Sequence, residues 1–174
     1  METICLAAPE LDADAEVAQF RERAAEEEVP LTAVAGAREL LAALPDGRWA
    51  VVTSGPRRVA LARLAGAGLP RPPVLVSAED VRQGKPSPEG YLRAAELLGA
   101  APSDCLVLED APPGIEAARA AGATVVALST THPATALADA HLVLGSLEDV
   151  HLVSSPGDSR PLAFELGPAV VMPA

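Results

Sequence analysis

Three short polar runs hold the residue types from which chemistry could be built. Thr53-Ser54-Gly55 closes the apolar pair Val51-Val52, Gly84-Lys85-Pro86 lies in a turn before a helix, and Glu109-Asp110 closes Val107-Leu108. A buried strand that ends in a polar cluster delivers that cluster to the sheet's carboxyl edge. A hydroxyl, an ammonium and a carboxylate pair gathered there are the parts of a magnesium-assisted phosphoryl-transfer site. An aspartate nucleophile is the part that these runs do not supply.

Each run alone has a plainer reading. Ser54 suits the N-cap of a strand-to-helix turn, Lys85 a solvated loop, and Glu109-Asp110 an exposed acidic turn. Gly84-Lys85 is not a nucleotide P-loop, because the upstream glycine is missing and Pro86 stands where Ser or Thr belongs. Glu109 and Asp110 are the most pointed pair. Adjacent carboxylates repel unless a cation lies between them, and magnesium, which takes hard oxygen ligands, is the expected cation. Taken in order at successive strand ends, the three runs specify far more than any one does.

The elements that must position these runs are legible in the apolar rhythm. Helix is expected over Ala37 to Ala43, Arg57 to Ala65, Pro88 to Leu98 and Gly114 to Ala121, with a short helix around Ala134 to Leu137. Strand is expected over Trp49 to Thr53, Val74 to Ser77, Cys105 to Leu108, Thr124 to Leu128 and His141 to Leu144. This alternation predicts an α/β fold, a doubly wound parallel sheet with helices on both faces. Ligands of such sheets bind beyond the carboxyl ends of the strands. Val17, Phe20 and Ala24 recur at helical spacing, so residues 1 to about 30 read as helical, with Asp12 and Asp14 at a helix start. Ser154 to Pro161 reads as a linker, and the segment around Phe164 as either a strand or a loose tail.

Composition sets outer bounds. The 174 residues suit one domain with a small appendage. With 49% hydrophobic but only 2% aromatic residues, the core must be built from Ala, Val and Leu. A net charge of -11 repels polyphosphate backbones and acidic lipid, which argues against nucleic-acid and membrane partners. Cys5 and Cys105 are too few for a disulfide framework and read as reduced thiols, Cys105 in a buried strand. Without an apolar run of membrane-spanning length or a secretory leader pattern, a soluble cytoplasmic protein is expected. Nothing in the sequence sets an oligomeric state.

On Trp49 to Gly55, Val81 to Gly99 and Cys105 to Gly122 the chain resembles the haloacid dehalogenase-like hydrolases, in particular the capped sugar- and polyol-phosphate phosphatases. The resemblance covers about residues 1 to 150. It implies a magnesium-dependent phosphatase that works through an aspartyl-phosphate on a small phosphorylated metabolite. Thr53 would bind the phosphoryl group, Lys85 would stabilise nucleophile and intermediate, Ser54 and Gly55 would line the phosphate pocket, and Glu109 and Asp110 would hold magnesium. It also implies a division into a partial helical cap (1–35), an α/β core (36–150), and a linker and tail (151–174).

The family pattern departs at one point. Its nucleophile strand ends in Asp-x-Asp-Gly-Thr and lies at the sheet's centre, between the strands that end at Thr53 and Asp110. This sequence offers only Asp12-Ala13-Asp14, followed by Ala15-Glu16, and both aspartates are assigned to the cap helix. The expected reading is therefore an amino-terminally shortened phosphatase of this family, inactive as the sequence stands. A non-catalytic phosphate- or magnesium-binding protein derived from the family is the alternative. A phosphoacceptor receiver domain shares the chemistry but reverses its order, with the acidic pair first and the lysine last.

Overall fold

The computed structural model describes residues 31–153 and 162–168. The expected cap helix and Asp12 and Asp14 lie outside the described residues. Strands β1 (Ala50–Val52), β2 (Val74–Val76), β3 (Leu106–Glu109), β4 (Thr124–Leu128) and β5 (Leu142–Leu144) alternate with helices, as the apolar rhythm requires. The helices are α1 (Ala37–Ala43), α2 (Arg57–Gly66), α3 (Glu89–Leu98) and α4 (Pro112–Ala120). Ala134–Leu137 is a 3-10 turn, too short to propagate an α-helix.

All pairing among β1 to β5 is parallel. β1 pairs with β2, and β3-β4-β5 form a second run with β4 in the middle. Among the described residues β1 bonds only to β2, and β3 only to β4. The sheet is therefore in two parts, and the split falls between the strands that end at Thr53 and Asp110.

Successive side chains on β4 point to opposite faces, and the two faces carry separate cores. Val125 and Ala127 pack with Ile115, Ala118, Leu137 and Val143 under α4. Val126 and Leu128 pack with Leu40 of α1, Leu144 and Val150 on the other side. The fully buried side chains are aliphatic or small, as a chain nearly without aromatics demands. Cys105 is free and lies just outside β3, half-buried rather than in a buried strand.

The expected linker, Ser154 to Pro161, lies outside the described residues, and the segment around Phe164 is a strand. β6 (Val150–Leu152) pairs antiparallel with β7 (Phe164–Leu166), and Phe164 and Leu166 pack against the Leu40 cluster. Phe164 therefore sits in a strand of its own small sheet and does not fill the split between β1 and β3.

Candidate active site

The carboxyl ends of β1 and β3 border an open cavity of about 620 Å3. Thr53, Ser54, Lys85, Glu109 and Asp110 line it, over apolar walls that include Val52, Leu108 and Leu128. Five of the six residues singled out from the sequence thus meet at one place. Gly55 is the exception. It stands behind Thr53 in the turn, outside the cavity lining.

Thr53 continues the ladder one residue past β1, donating its N–H to Val76 O at 2.9 Å. Its hydroxyl oxygen accepts the N–H of Gly55 at 3.1 Å, which bends the chain sharply and leaves Ser54 exposed at the rim. Ser54 is not the helix cap; Pro56 occupies that position in α2. The turn is fixed from the β2 side as well. Ala78 N–H donates to Gly55 O at 3.2 Å, and Glu79 accepts the N–H of Arg57 at the start of α2. Buried Ser77 donates its hydroxyl to Glu79 and its backbone N–H to Asp80 at 2.8 Å.

Lys85 reaches in from the turn that Ser87 N–H closes onto Gly84 O at 3.0 Å. Its ammonium is paired with Glu109 Oε1. Glu109 is buried and fully engaged. Its Oε1 also accepts the Tyr91 hydroxyl at 2.6 Å, and its Oε2 accepts the N–H groups of Asp110 at 3.0 Å and Ala111 at 3.3 Å. Burial alone would raise the Glu109 pKa. The Lys85 ammonium, the Tyr91 hydroxyl and the Asp110 N–H outweigh burial and hold it below its ordinary value. The Tyr91 phenol is pushed the other way, by burial first and then by the Glu109 charge. Gly114, in the first turn of α4, makes room for this arrangement. A Cβ there would stand inside the Glu109 carboxylate.

Asp110, directly after β3, is half-buried. Its Oδ2 lies 2.9 Å from the Thr131 hydroxyl, and its carbonyl oxygen lies 2.9 Å from both that hydroxyl and His132 Nδ1. A carbonyl oxygen only accepts, so the His132 contact is a hydrogen bond in the Nδ1–H tautomer. That tautomer leaves the single Thr131 proton for the carboxylate. Asp110 Oδ1 accepts no hydrogen bond among the described residues and remains available as a hard oxygen donor.

Magnesium typically takes one or two carboxylates together with waters and substrate phosphate. Asp110 fits that demand, whereas both oxygens of Glu109 are committed to protein donors. Among the described residues there is no group of three or more His, Cys, Asp or Glu that could by itself hold a metal ion. The residues that sequence reasoning missed are Tyr91, Thr131 and His132. The Tyr91 ring packs against the Ile115 cluster and reads as core in a helical pattern, while Thr131 and His132 arrive from a loop some twenty residues away.

A family model of haloacid dehalogenase-like hydrolases matches residues 5–122. The chain belongs to this family. Hexitol phosphatase A of Escherichia coli K12 is 44% identical over 149 residues, 84% of this chain and 69% of that enzyme. Validoxylamine A 7'-phosphate phosphatase of Streptomyces hygroscopicus subsp. limoneus is 49% identical over 120 residues, 67% of this chain and 56% of that protein. The chain therefore spans a little over half to about two thirds of these relatives' lengths. Among solved structures, a HAD family hydrolase from Deinococcus radiodurans R1 with bound phosphate and sodium matches with a TM-score of 0.61 and 30% identity. That match covers 83% of this chain and 68% of that one. Among the described residues no helix is long and apolar enough to cross a membrane.

Proposed function

We propose that the cavity between β1 and β3 is the phosphoryl-binding half of a magnesium-assisted phosphatase site for a small sugar or polyol phosphate. The observation that carries this reading is the convergence of the Thr53 turn, the Lys85 ammonium and the Asp110 carboxylate on one open cavity. Binding and stabilising a phosphoryl group calls above all for positioned charge and hydrogen-bond donors. Lys85 supplies a fixed cation for a phosphoryl oxygen. Thr53 and Ser54 supply hydroxyls at the mouth, where an anionic ester meets a locally cationic group against an otherwise acidic chain.

Asp110 is the residue that would hold magnesium, with Thr131 and His132 keeping it in place. When bound, magnesium neutralises charge on the phosphoryl oxygens. Glu109 acts one step back, as the counter-ion that aims Lys85. The expected carboxylate pair would thus divide its work, with Asp110 available to a metal and Glu109 holding the lysine. The names of the relatives, hexitol phosphatase and validoxylamine 7'-phosphate phosphatase, support a polyhydroxylated phosphate monoester as substrate. Soluble cytoplasmic placement accords with that chemistry.

The step these 174 residues do not supply is attack. No Asp-x-Asp-Gly-Thr occurs in them, and among the described carboxylates at the cavity Glu109 is taken up by protein donors while Asp110 is the one that would hold the metal. They therefore bind the phosphoryl group and do not turn it over, which also accommodates the reading of a family-derived phosphate binder. Purified protein incubated with magnesium and a hexitol phosphate tests this. Phosphate binding without release is expected. Release that is abolished by Asp110→Ala would show a complete active site and overturn the proposal.

A further inference from the structure

We propose that Tyr91 is a positioning residue of this site, its hydroxyl holding Glu109 and its ring face holding the Lys85 ammonium. The inference rests on the reading of Lys85 as the phosphoryl-binding cation. Three independent observations converge on one side chain. The hydroxyl donates to Glu109 Oε1 at 2.6 Å. The Lys85 Nζ lies 5.1 Å from the ring centroid, within the range of a cation–π contact. The ring also packs against the cluster of Ile115, Val125 and Val143, which ties the site to the core.

A lysine is a point charge on a long flexible stem, and one carboxylate partner fixes its distance without fixing its direction. The aromatic face removes that freedom by closing one flank. The core does not need the hydroxyl, since a phenylalanine would fill the same volume. A buried hydroxyl is retained at no loss only if it is bonded, and here its acceptor is the lysine's own counter-ion. Gly90 sets the placement. A Cβ there would lie 3.0 Å from Val52 Cγ1, so glycine lets α3 press against β1 and brings Tyr91 level with the strand ends.

The test follows the Lys85 ammonium by nuclear magnetic resonance in the full 15N-labelled chain, in wild type, Tyr91→Phe and Tyr91→Leu, with inorganic phosphate titrated alongside. A held ammonium gives a resolved, slowly exchanging NH3+ signal. In Tyr91→Phe, which keeps the ring, exchange should quicken severalfold while the melting temperature stays near wild type. In Tyr91→Leu the signal should vanish and phosphate affinity should fall about threefold to tenfold. An absent Lys85 signal in wild type, or identical exchange in all folded variants, overturns the inference, and Tyr91→Phe decides if Tyr91→Leu does not fold. Failure of wild type to bind phosphate would instead remove the assignment of Lys85, leaving the exchange comparison to judge Tyr91.

Discussion

Gly114 is the most exacting structural requirement of the site, and replacing it with alanine isolates the Glu109 arrangement. The added Cβ would occupy the position of the Glu109 carboxylate, so the carboxylate must leave its place between Lys85, Tyr91 and the N–H groups of Asp110 and Ala111. Breaking a buried ion pair costs about 3–5 kcal/mol, reduced here because the freed carboxylate can turn into an open cavity. Alanine in place of glycine in a helix returns roughly 1 kcal/mol. Gly114→Ala should therefore destabilise by about 2–3 kcal/mol, a fall of roughly 5–10 °C in melting temperature for a chain of this length.

A double-mutant cycle in urea supplies the decisive comparison. With Glu109→Ala already present, the clash has no partner, and Gly114→Ala should be neutral or slightly stabilising. The coupling between the two positions should be roughly 2–4 kcal/mol. A Gly114→Ala protein as stable as wild type, or a cost that persists undiminished in the Glu109→Ala background, would refute the placement of the Glu109 carboxylate against the first turn of α4.

Further outcomes follow from the same geometry. The folded pKa of Glu109 lies below its ordinary value of 4.5, so the unfolded chain binds the extra proton first. Its stabilisation is then present above pH 4.5 and lost as pH falls through the folded value. The urea midpoint should accordingly decline on acidification below that pH, and Glu109→Gln should flatten part of the decline; an unchanged slope would contradict the pairing. Asp110→Asn should abolish manganese binding followed by electron paramagnetic resonance, whereas Glu109→Gln should weaken it only modestly. Equal losses would return both carboxylates to the metal. Thr131→Val, which removes one hydrogen bond to the Asp110 carboxylate, should weaken manganese binding about fivefold to tenfold, and Thr131→Ser should restore it.

Much of this arrangement is legible in the amino-acid sequence because strand ends are legible. Val51-Val52, Val107-Leu108 and the glycine-terminated helices announce a parallel α/β sheet, and in such a sheet the polar residues after each apolar run must meet at one edge. The observed elements differ from the expected ones mainly by a residue or two at their ends. The family resemblance also implies an unfilled position between β1 and β3, where the described sheet is split.

What escapes a reading in one dimension is what depends on three-dimensional neighbours. Two adjacent acids read as a metal pair, and nothing local reveals that backbone N–H groups, a lysine and a phenol take up both Glu109 oxygens. Tyr91 sits where a helical pattern asks for core, so its hydroxyl gives no signal. Gly55 looks like a pocket residue by its position in the run, yet the Thr53 hydroxyl bends the chain so that the glycine turns behind the cavity. The pairing of β6 with β7 spans residues with no short-range signature, which is why the sequence leaves Phe164 undecided between strand and tail.

The central claim is that the Thr53 turn, Lys85 and Asp110 together form a phosphoryl-binding site. Isothermal titration of the purified chain with inorganic phosphate, with and without magnesium, tests it most directly when wild type is compared with Lys85→Ala and Asp110→Ala. Saturable binding that magnesium strengthens is expected in wild type, with loss of binding in Lys85→Ala and loss of the magnesium effect in Asp110→Ala. Absence of heat in folded wild type, or binding that survives both substitutions unchanged, would contradict it.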